Sequence, residues 1–234
     1  MNEFFQNQRF FTRRIFLAVA LIIAVSLVPT HQSKAANEAN ELVIQAQLTA
    51  ASLLNNPDYQ TLQTLLKDAK GVLIFPSMLK AAFFFGAEGG SGVLLARNAD
   101  GSWGYPAFYT IGAGSFGLQW GGQDSQVIFA IMTDRGINSV INQQIKLGAD
   151  VSVAVGPVGI GAEAATTAQL ADMYSFSQAR GAFAGVSFKG AVVYGRDGLN
   201  EDYYGTPSTA TQIVIDRQFK NPAADGLRNA LAGH

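Results

Sequence analysis

The sequence predicts an α+β domain: a mostly antiparallel, strongly curved β-sheet or barrel-like core, with an N-terminal helical hairpin and short additional helices. Three observations carry this. Apolar residues recur at helical spacing ahead of residue 70. From Gly71 onward candidate strands outnumber helices, and no regular strand–helix alternation appears, which argues against a parallel doubly wound sheet. Glycines then cluster inside strand-like runs, where they mark bulges, bends and close backbone approach.

Each element has its own signal. Residues 37–56 read as a helix, since Ala39, Leu42, Val43, Ala46, Ala50, Leu53 and Leu54 recur at three and four. Asn56-Pro57-Asp58 ends it. A second helix carries Tyr59, Leu62, Leu65 and Leu66 and is closed by Lys67, Lys70 and Gly71. The two stripes suit a hairpin packed on the rest. Val72 to Phe75 is a short buried strand stopped by Pro76. Gly92 to Arg97 and Ser102 to Tyr109 are strands joined by the turn Asn98-Ala99-Asp100-Gly101. Val127 to Met132 has no polar member and suits a central strand covered on both faces. Thr133 or Asp134 caps a short helix with Ile137, Val140, Ile141 and Ile145 on one face. Val151, Val153 and Val155, and later Val186, Phe188, Val192 and Tyr194, read as half-buried antiparallel strands. From Pro207 the chain is a helical or irregular tail.

The N-terminus predicts export. Arg9, Arg13 and Arg14 precede the run Ile15 to Val28, in which Ser26 is the polar member, and Pro29 ends it. The run is shorter than the roughly 20 residues a bilayer span needs. Ser33-Lys34-Ala35 offers small residues for cleavage after Ala35. Residues 1–35 are therefore expected to be a signal peptide, and 36–234 a single domain. That domain divides into a helical part (36–69), a glycine-rich β core (70–206) and a tail (207–234). The expected location is periplasmic or extracytoplasmic. Thr12-Arg13-Arg14-Ile15-Phe16-Leu17 leaves the twin-arginine route open beside the ordinary one.

Charge and composition narrow the chemistry. Removing Arg9, Arg13, Arg14, Lys34 and Glu3 takes 16 basic and 17 acidic residues to 12 and 16, a net charge of −4. Bulk charge thus gives no reason to expect nucleic acid. The chain has no cysteine, which excludes disulfides, thiolate metal sites and cysteine nucleophiles. Its two histidines are His31, in the leader, and the terminal His234. No cofactor is expected.

Several motifs depend on their context. Gly112-Ala113-Gly114-Ser115-Phe116-Gly117 matches GxGxxG, but Gly121-Gly122 follows too soon for the helix a dinucleotide fold requires. The same stretch approximates a nucleophile elbow around Ser115, for which His234 is the sole histidine base. Glu88, Asp124, Asp150, Glu163 and Asp172 are candidate acid/base or calcium carboxylates with no calcium-loop spacing; ordinary exposed acids account for them more simply. Lys80-Ala81-Ala82-Phe83-Phe84-Phe85 reads either as a buried strand or as an interfacial wedge with its cation at the headgroups. Lys67, Lys70 and Lys80 form one basic group in sequence, and Arg180, Lys189 and Arg196 a second; either suits phosphate.

A set of blocks in order resembles the SYLF domain family. They are Lys70-Gly71-Val72-Leu73-Ile74-Phe75-Pro76, Gly89-Gly90-Ser91-Gly92-Val93-Leu94-Leu95 and Trp103-Gly104-Tyr105-Pro106-Ala107-Phe108. The order continues through Gly114 to Gly122, Leu147 to Asp150, Tyr174 to Ser187 and Tyr203-Tyr204-Gly205. The resemblance spans about residues 40 to 206. It implies a lipid-binding domain without enzymatic activity; eukaryotic members bind phosphoinositide-rich membranes and some bind and bundle actin. One departure stands out. Membrane binding in some relatives is attributed to a basic amphipathic N-terminal helix, whereas residues 36–66 here contain no Lys or Arg.

The expected function is a non-enzymatic exported module for anionic phospholipid or a membrane surface. Its expected lipid-binding residues are Lys67, Lys70, Lys80, Phe83, Phe84, Phe85, Arg180, Lys189 and Arg196. Nucleic acid and, on grounds of location, actin are not expected as partners. A structural envelope protein that binds a protein partner or self-associates is the alternative, and a calcium-dependent binder or carboxylate enzyme the least favoured.

Overall fold

Strand β1, Gly71–Ala82, lies in the middle of an eight-stranded sheet and organises it. The computed structural model describes residues 30–82, 85–116, 121–142, 144–156, 171–179 and 188–233. The remaining strands are β2 (Phe85–Ala96), β3 (Ala107–Phe116), β4 (Gly121–Ile131), β5 (Gln144–Lys146), β6 (Val153–Val155), β7 (Met173–Ala179) and β8 (Val192–Gly195). Their order is β5-β8-β3-β2-β1-β4-β7-β6. The sheet curls as an open half-barrel, and among the described residues every pairing is antiparallel except β6 with β7. The helices are α1 (Thr30–Leu54), α2 (Gln60–Asp68), α3 (Asp134–Ile141), α4 (Asp197–Tyr204) and α5 (Asp225–Ala232). This is the expected α+β class. None of the described helices is long and apolar enough to cross a membrane.

The central strands are apolar throughout because both faces of the sheet are covered. Val72 and Ile74 of β1 enter a core with Val93, Leu95, Phe108, Ile128 and Ala130, closed by α1, α2, α4 and α5. Leu73 and Phe75 point the other way, into a core with Leu94, Tyr109, Val127 and Phe129, closed by α3 and the turn Thr211–Ile215. Successive strand residues alternate faces, so two-sided cover demands an unbroken apolar run. This is why Val127 to Ile131 of β4 are all fully buried, as their lack of polar members predicts.

The helical hairpin also forms as expected. Ala39, Leu42, Val43, Ala46, Ala50, Leu53 and Leu54 are all buried on the sheet side of α1, each large aliphatic contributing roughly 1.5–3 kcal/mol. The helix begins at Thr30, earlier than its apolar stripe suggests. Asn56 closes the connection by accepting the Asp58 N–H at 3.0 Å. The Tyr59 hydroxyl donates to the Ser177 carbonyl at 3.0 Å, fastening the hairpin to β7. Thr133 caps α3 by accepting the Gly136 N–H at 2.9 Å, although Ile145 lies on β5 instead of on that helix.

Other expectations are corrected. Pro76 does not stop β1; the strand runs on to Ala82, and its register shifts between Phe75 and Met78 against β4 and between Ile74 and Leu79 against β2. Proline has no N–H to give a ladder, and a bulge is where a central strand tolerates one. The described glycines of β2 and β3 make no bulge in their shared ladder. Gly89 pairs with Gly112 and Ala87 with Gly114 in an unshifted ladder. Close backbone approach is the role of Gly92 and Gly90. A Cβ on Gly92 would lie 2.4 Å from both the Ile74 carbonyl oxygen and the Phe75 ring, and one on Gly90 would lie 2.2 Å from the Ser77 carbonyl oxygen.

β3 starts at Ala107 instead of Ser102, after a turn in which Asn98 N–H donates to Ser102 O at 2.7 Å. β6 is parallel, not antiparallel, to β7. Val153 pairs with Met173, twenty residues on, enough chain for the crossover of about a dozen residues that parallel neighbours need. Phe188 is buried against Phe129, but β8 begins only at Val192 after the left-handed turn at Gly190; Val186 lies outside the described residues. α4 lies within the stretch 70–206 that the sequence assigns to the β core. The tail is ordered onto both cores: Ile213 and Val214 enter the second, and Ala224, Leu227 and Leu231 the first. The stretch 216–222 therefore crosses from one face to the other.

The contact at Gly92 has a test. Gly92→Ala forces overpacking against the bulge and should destabilise by about 3 kcal/mol. Gly112→Ala points a methyl into open space and should leave the denaturation midpoint nearly unchanged. Urea unfolding of both variants checks the contrast.

Candidate functional site

One end of the sheet, where β1 begins and β2 ends, is held together by Arg97. Its Nε donates to Ala69 O at 3.1 Å and its Nη1 to Gly101 O at 2.8 Å, while Nη2 donates to Leu66 O. The guanidinium lies over the Trp103 ring, 4.3 Å from its centre. Its backbone N–H donates to Lys70 O at 2.8 Å. A cation at a helix C-terminus complements the carbonyls left open there. Burial lowers the Arg97 pKa, and Asp68 pulls it back up. The end of α2, the start of β1 and the 98–102 turn are thereby fixed to each other.

Beside that turn a cleft of about 540 Å³ opens between residues 98–105 and the crossing segment of the tail. Arg217, Lys220 and Arg228 line it, with Asp100 the carboxylate among its walls. Arg228 is anchored: Nε donates to Trp103 O at 2.7 Å, Nη1 to Asp225 at 2.6 Å, and the guanidinium lies 4.2 Å from the centre of the Tyr105 ring. Asp100 is satisfied by the Ser102 N–H and hydroxyl at 2.9 and 2.7 Å. Those bonds, with Arg217 nearby, hold its carboxyl below the usual range. Arg217 and Lys220 are exposed, and Arg217 has φ +55°, a backbone state that favours glycine. Nothing local in the sequence marks these three cations, which the tail's crossing brings to the turn.

Among the described residues, Lys80 does not join Lys67 and Lys70 in one basic group. Lys67 and Lys70 are exposed and adjoin the Arg97 clamp. Lys80 is ten residues further along β1, roughly 33 Å at about 3.3 Å per residue, opposite Glu88 and Gln123. Lys189 and Arg196 flank β8 at its two ends. Lys189 is exposed, whereas Arg196 is engaged by Glu38 at 3.0 Å and the Ser91 hydroxyl at 3.2 Å, joining α1 to β2. Phe85 begins β2. Phe83, Phe84 and Arg180 lie outside the described residues.

The candidate carboxylates are likewise dispersed. Glu88 is on β2 and Asp124 on β4, where Asp124 accepts from the Ser77 hydroxyl at 2.8 Å. Asp150 accepts the Lys146 N–H at 2.7 Å, and Glu163 lies outside the described residues. Among the described residues no three His, Cys, Asp or Glu side chains gather as a metal site. Gly112 to Phe116 are strand, so the GxGxxG stretch opens no helix there. Asp172 is a structural anchor. It accepts from Thr133 Oγ1 at 2.7 Å and from Ser152 N and Oγ at 3.0 and 2.7 Å, with Arg135 at 3.9 Å. Burial raises its pKa, but those hydrogen bonds and Arg135 outweigh it, leaving the carboxyl below the ordinary aspartate value.

The fold defines an α+β domain built on a curled, mostly antiparallel sheet. Residues 112–234 match the Ysc84 family model, described as Las17-binding protein actin regulator, and the chain belongs to this Ysc84 (SYLF) family. It is similar to LAS seventeen-binding protein 3 of Saccharomyces cerevisiae, 38% identical over 172 residues, covering 71% of this chain and 37% of that protein. It is also similar to SH3 domain-containing YSC84-like protein 1 of Homo sapiens, 30% identical over 206 residues, covering 87% of this chain and 59% of that protein. The chain thus spans little more than a third of the yeast relative and about three fifths of the human one.

These relatives correct one expectation. The expectation that actin is not a partner rests on residues 1–35, which predict an address outside the cell. The family is described as an actin regulator and a yeast relative is named for binding Las17, so that exclusion does not stand. An inferred address is not a property of the binding surface.

The Asp172 anchor yields a pH prediction. A depressed folded pKa means that its stabilisation is present above the unfolded value of about 3.9 and is lost as pH falls through the folded one. Asp172→Asn should cost roughly 2 kcal/mol near neutral pH. Thermal unfolding of both proteins should show the gap narrowing as the medium is acidified below about pH 4.

Proposed function

We propose that this chain is a non-enzymatic binding domain, exported by way of residues 1–35, that engages the headgroups of an anionic phospholipid surface. The observation that supports this reading is the placement of exposed Lys67 and Lys70 next to the cation-lined cleft, at one end of the sheet, by the Arg97 clamp. Residues 36–66 contain no Lys or Arg, so the electrostatic contact is assigned to this end instead.

A second reading takes its partner from the relatives: a protein of the Las17 type, met on α1. Ile44 and Leu48 stand one turn apart on that helix and are 56% and 62% exposed, which gives it an apolar strip that its own core does not use.

Sedimentation of the full chain separates the two. Phosphatidylcholine vesicles containing phosphatidylserine should carry the chain down, and pure phosphatidylcholine should not. Each lysine near an anionic surface contributes about 1 kcal/mol, so Lys67→Gln/Lys70→Gln should weaken vesicle binding roughly thirtyfold. Binding to purified Las17 with no binding to either vesicle would overturn the first reading in favour of the second.

A further inference from the structure

We propose that the cleft between the Asn98–Tyr105 segment and the crossing stretch of the tail is a binding site for a phosphate group, with Arg217, Lys220 and Arg228 as its ligands. This deepens the anionic-surface reading and rests on it for the source of the phosphate, while the site itself is tested separately below.

Four observations carry the site. The first is charge: three cations and one carboxylate line the cleft; Arg228 is paired with Asp225 and Asp100 stays ionised, so Arg217 and Lys220 leave the lining net positive. The second is order. Arg228 is fixed by Trp103 O, Asp225 and the Tyr105 ring before any ligand arrives, which leaves its Nη2 able to donate. A guanidinium held in place by its neighbours loses little freedom on binding an anion.

The third is strain. Arg217 is the one described non-glycine residue with a positive φ, +55°. A glycine would adopt that backbone state without cost, yet the position carries a cation beside the cleft. Strain of this kind collects where a side chain has to be aimed. The fourth is shape. Tyr105, Phe219 and Ile213 supply apolar wall next to the cations, which suits a phosphate carried on a larger group better than a bare ion. The cleft also lies where the tail passes from the second core to the first, so its two sides are anchored in different cores.

The phosphate has two sources to distinguish, a lipid headgroup and a soluble phosphate. The test uses full chain and an Arg217→Gly/Lys220→Gln variant. Glycine relieves the φ at 217, so the variant should fold with a melting temperature at or above that of the parent. Inorganic phosphate, compared with chloride at equal ionic strength, should raise the melting temperature of the parent by more than that of the variant, whose own rise is the general kosmotropic effect of phosphate. Vesicles of phosphatidylcholine with phosphatidic acid, which exposes a phosphomonoester, form the second arm.

Loss of the excess phosphate stabilisation together with at least a tenfold loss of vesicle binding assigns the site to a headgroup. Loss of that excess with vesicle binding unchanged keeps the site, assigns it to soluble phosphate and leaves membrane contact to Lys67 and Lys70. Equal responses of parent and variant to phosphate would overturn the site, whatever the vesicles show.

Discussion

Arg97 joins three parts of the molecule through a single guanidinium. Its nitrogens close the open carbonyls at the end of α2, hold the 98–102 turn, and stack on Trp103, whose own carbonyl positions Arg228. Hydrogen bonds from a charged donor contribute about 1.5–3 kcal/mol apiece, and here they are spent on backbone that no sheet ladder or helix satisfies. The hairpin could pack on the sheet by apolar contact alone. What the clamp adds is position: it fixes where Lys67 and Lys70 stand relative to the cleft.

That arrangement rests in turn on a sheet with two covered faces. β1 sends Val72 and Ile74 one way and Leu73 and Phe75 the other, and the tail contributes to both cores. Two-sided burial is what obliges the tail to cross, and the crossing carries Arg217 and Lys220 to the 98–105 turn. The bulge at Pro76 has a comparable consequence. Beside it the Ile74 and Ser77 carbonyls lie so close to β2 that Gly92 and Gly90 leave no room for a side chain.

Local pattern made much of this legible. The seven apolar residues of α1 are all buried, the unbroken run of β4 is central, and Thr133 caps α3. Each depends on a period or a cap that lies within a few residues. Pro76, by contrast, reads as a stop when no partner strand is known, and only pairing on both sides reveals a bulge. The direction of β6 depends on a crossover, which short-range alternation does not encode. The site was less legible than the fold. Lys67, Lys70 and Lys80 are near in sequence, yet a strand separates residues faster than any other element, and Lys80 is carried to the far end. Arg196 looks like a free cation until Glu38, 158 residues away, is found beside it. Arg97, Arg217, Lys220 and Arg228 converge only through the fold, and their sequence signals are an arginine closing an apolar run and scattered charges in a polar tail.

The central claim is that ligand contact is made at the end of the sheet where β1 begins. Hydrogen–deuterium exchange of the full chain, with and without vesicles containing anionic phospholipid, tests it most directly. The account predicts slowed exchange at residues 67–70, 98–105 and 217–228, with α1 between Glu41 and Leu48 unchanged. Protection confined to α1, or to the opposite end of the sheet around Lys80, would contradict it.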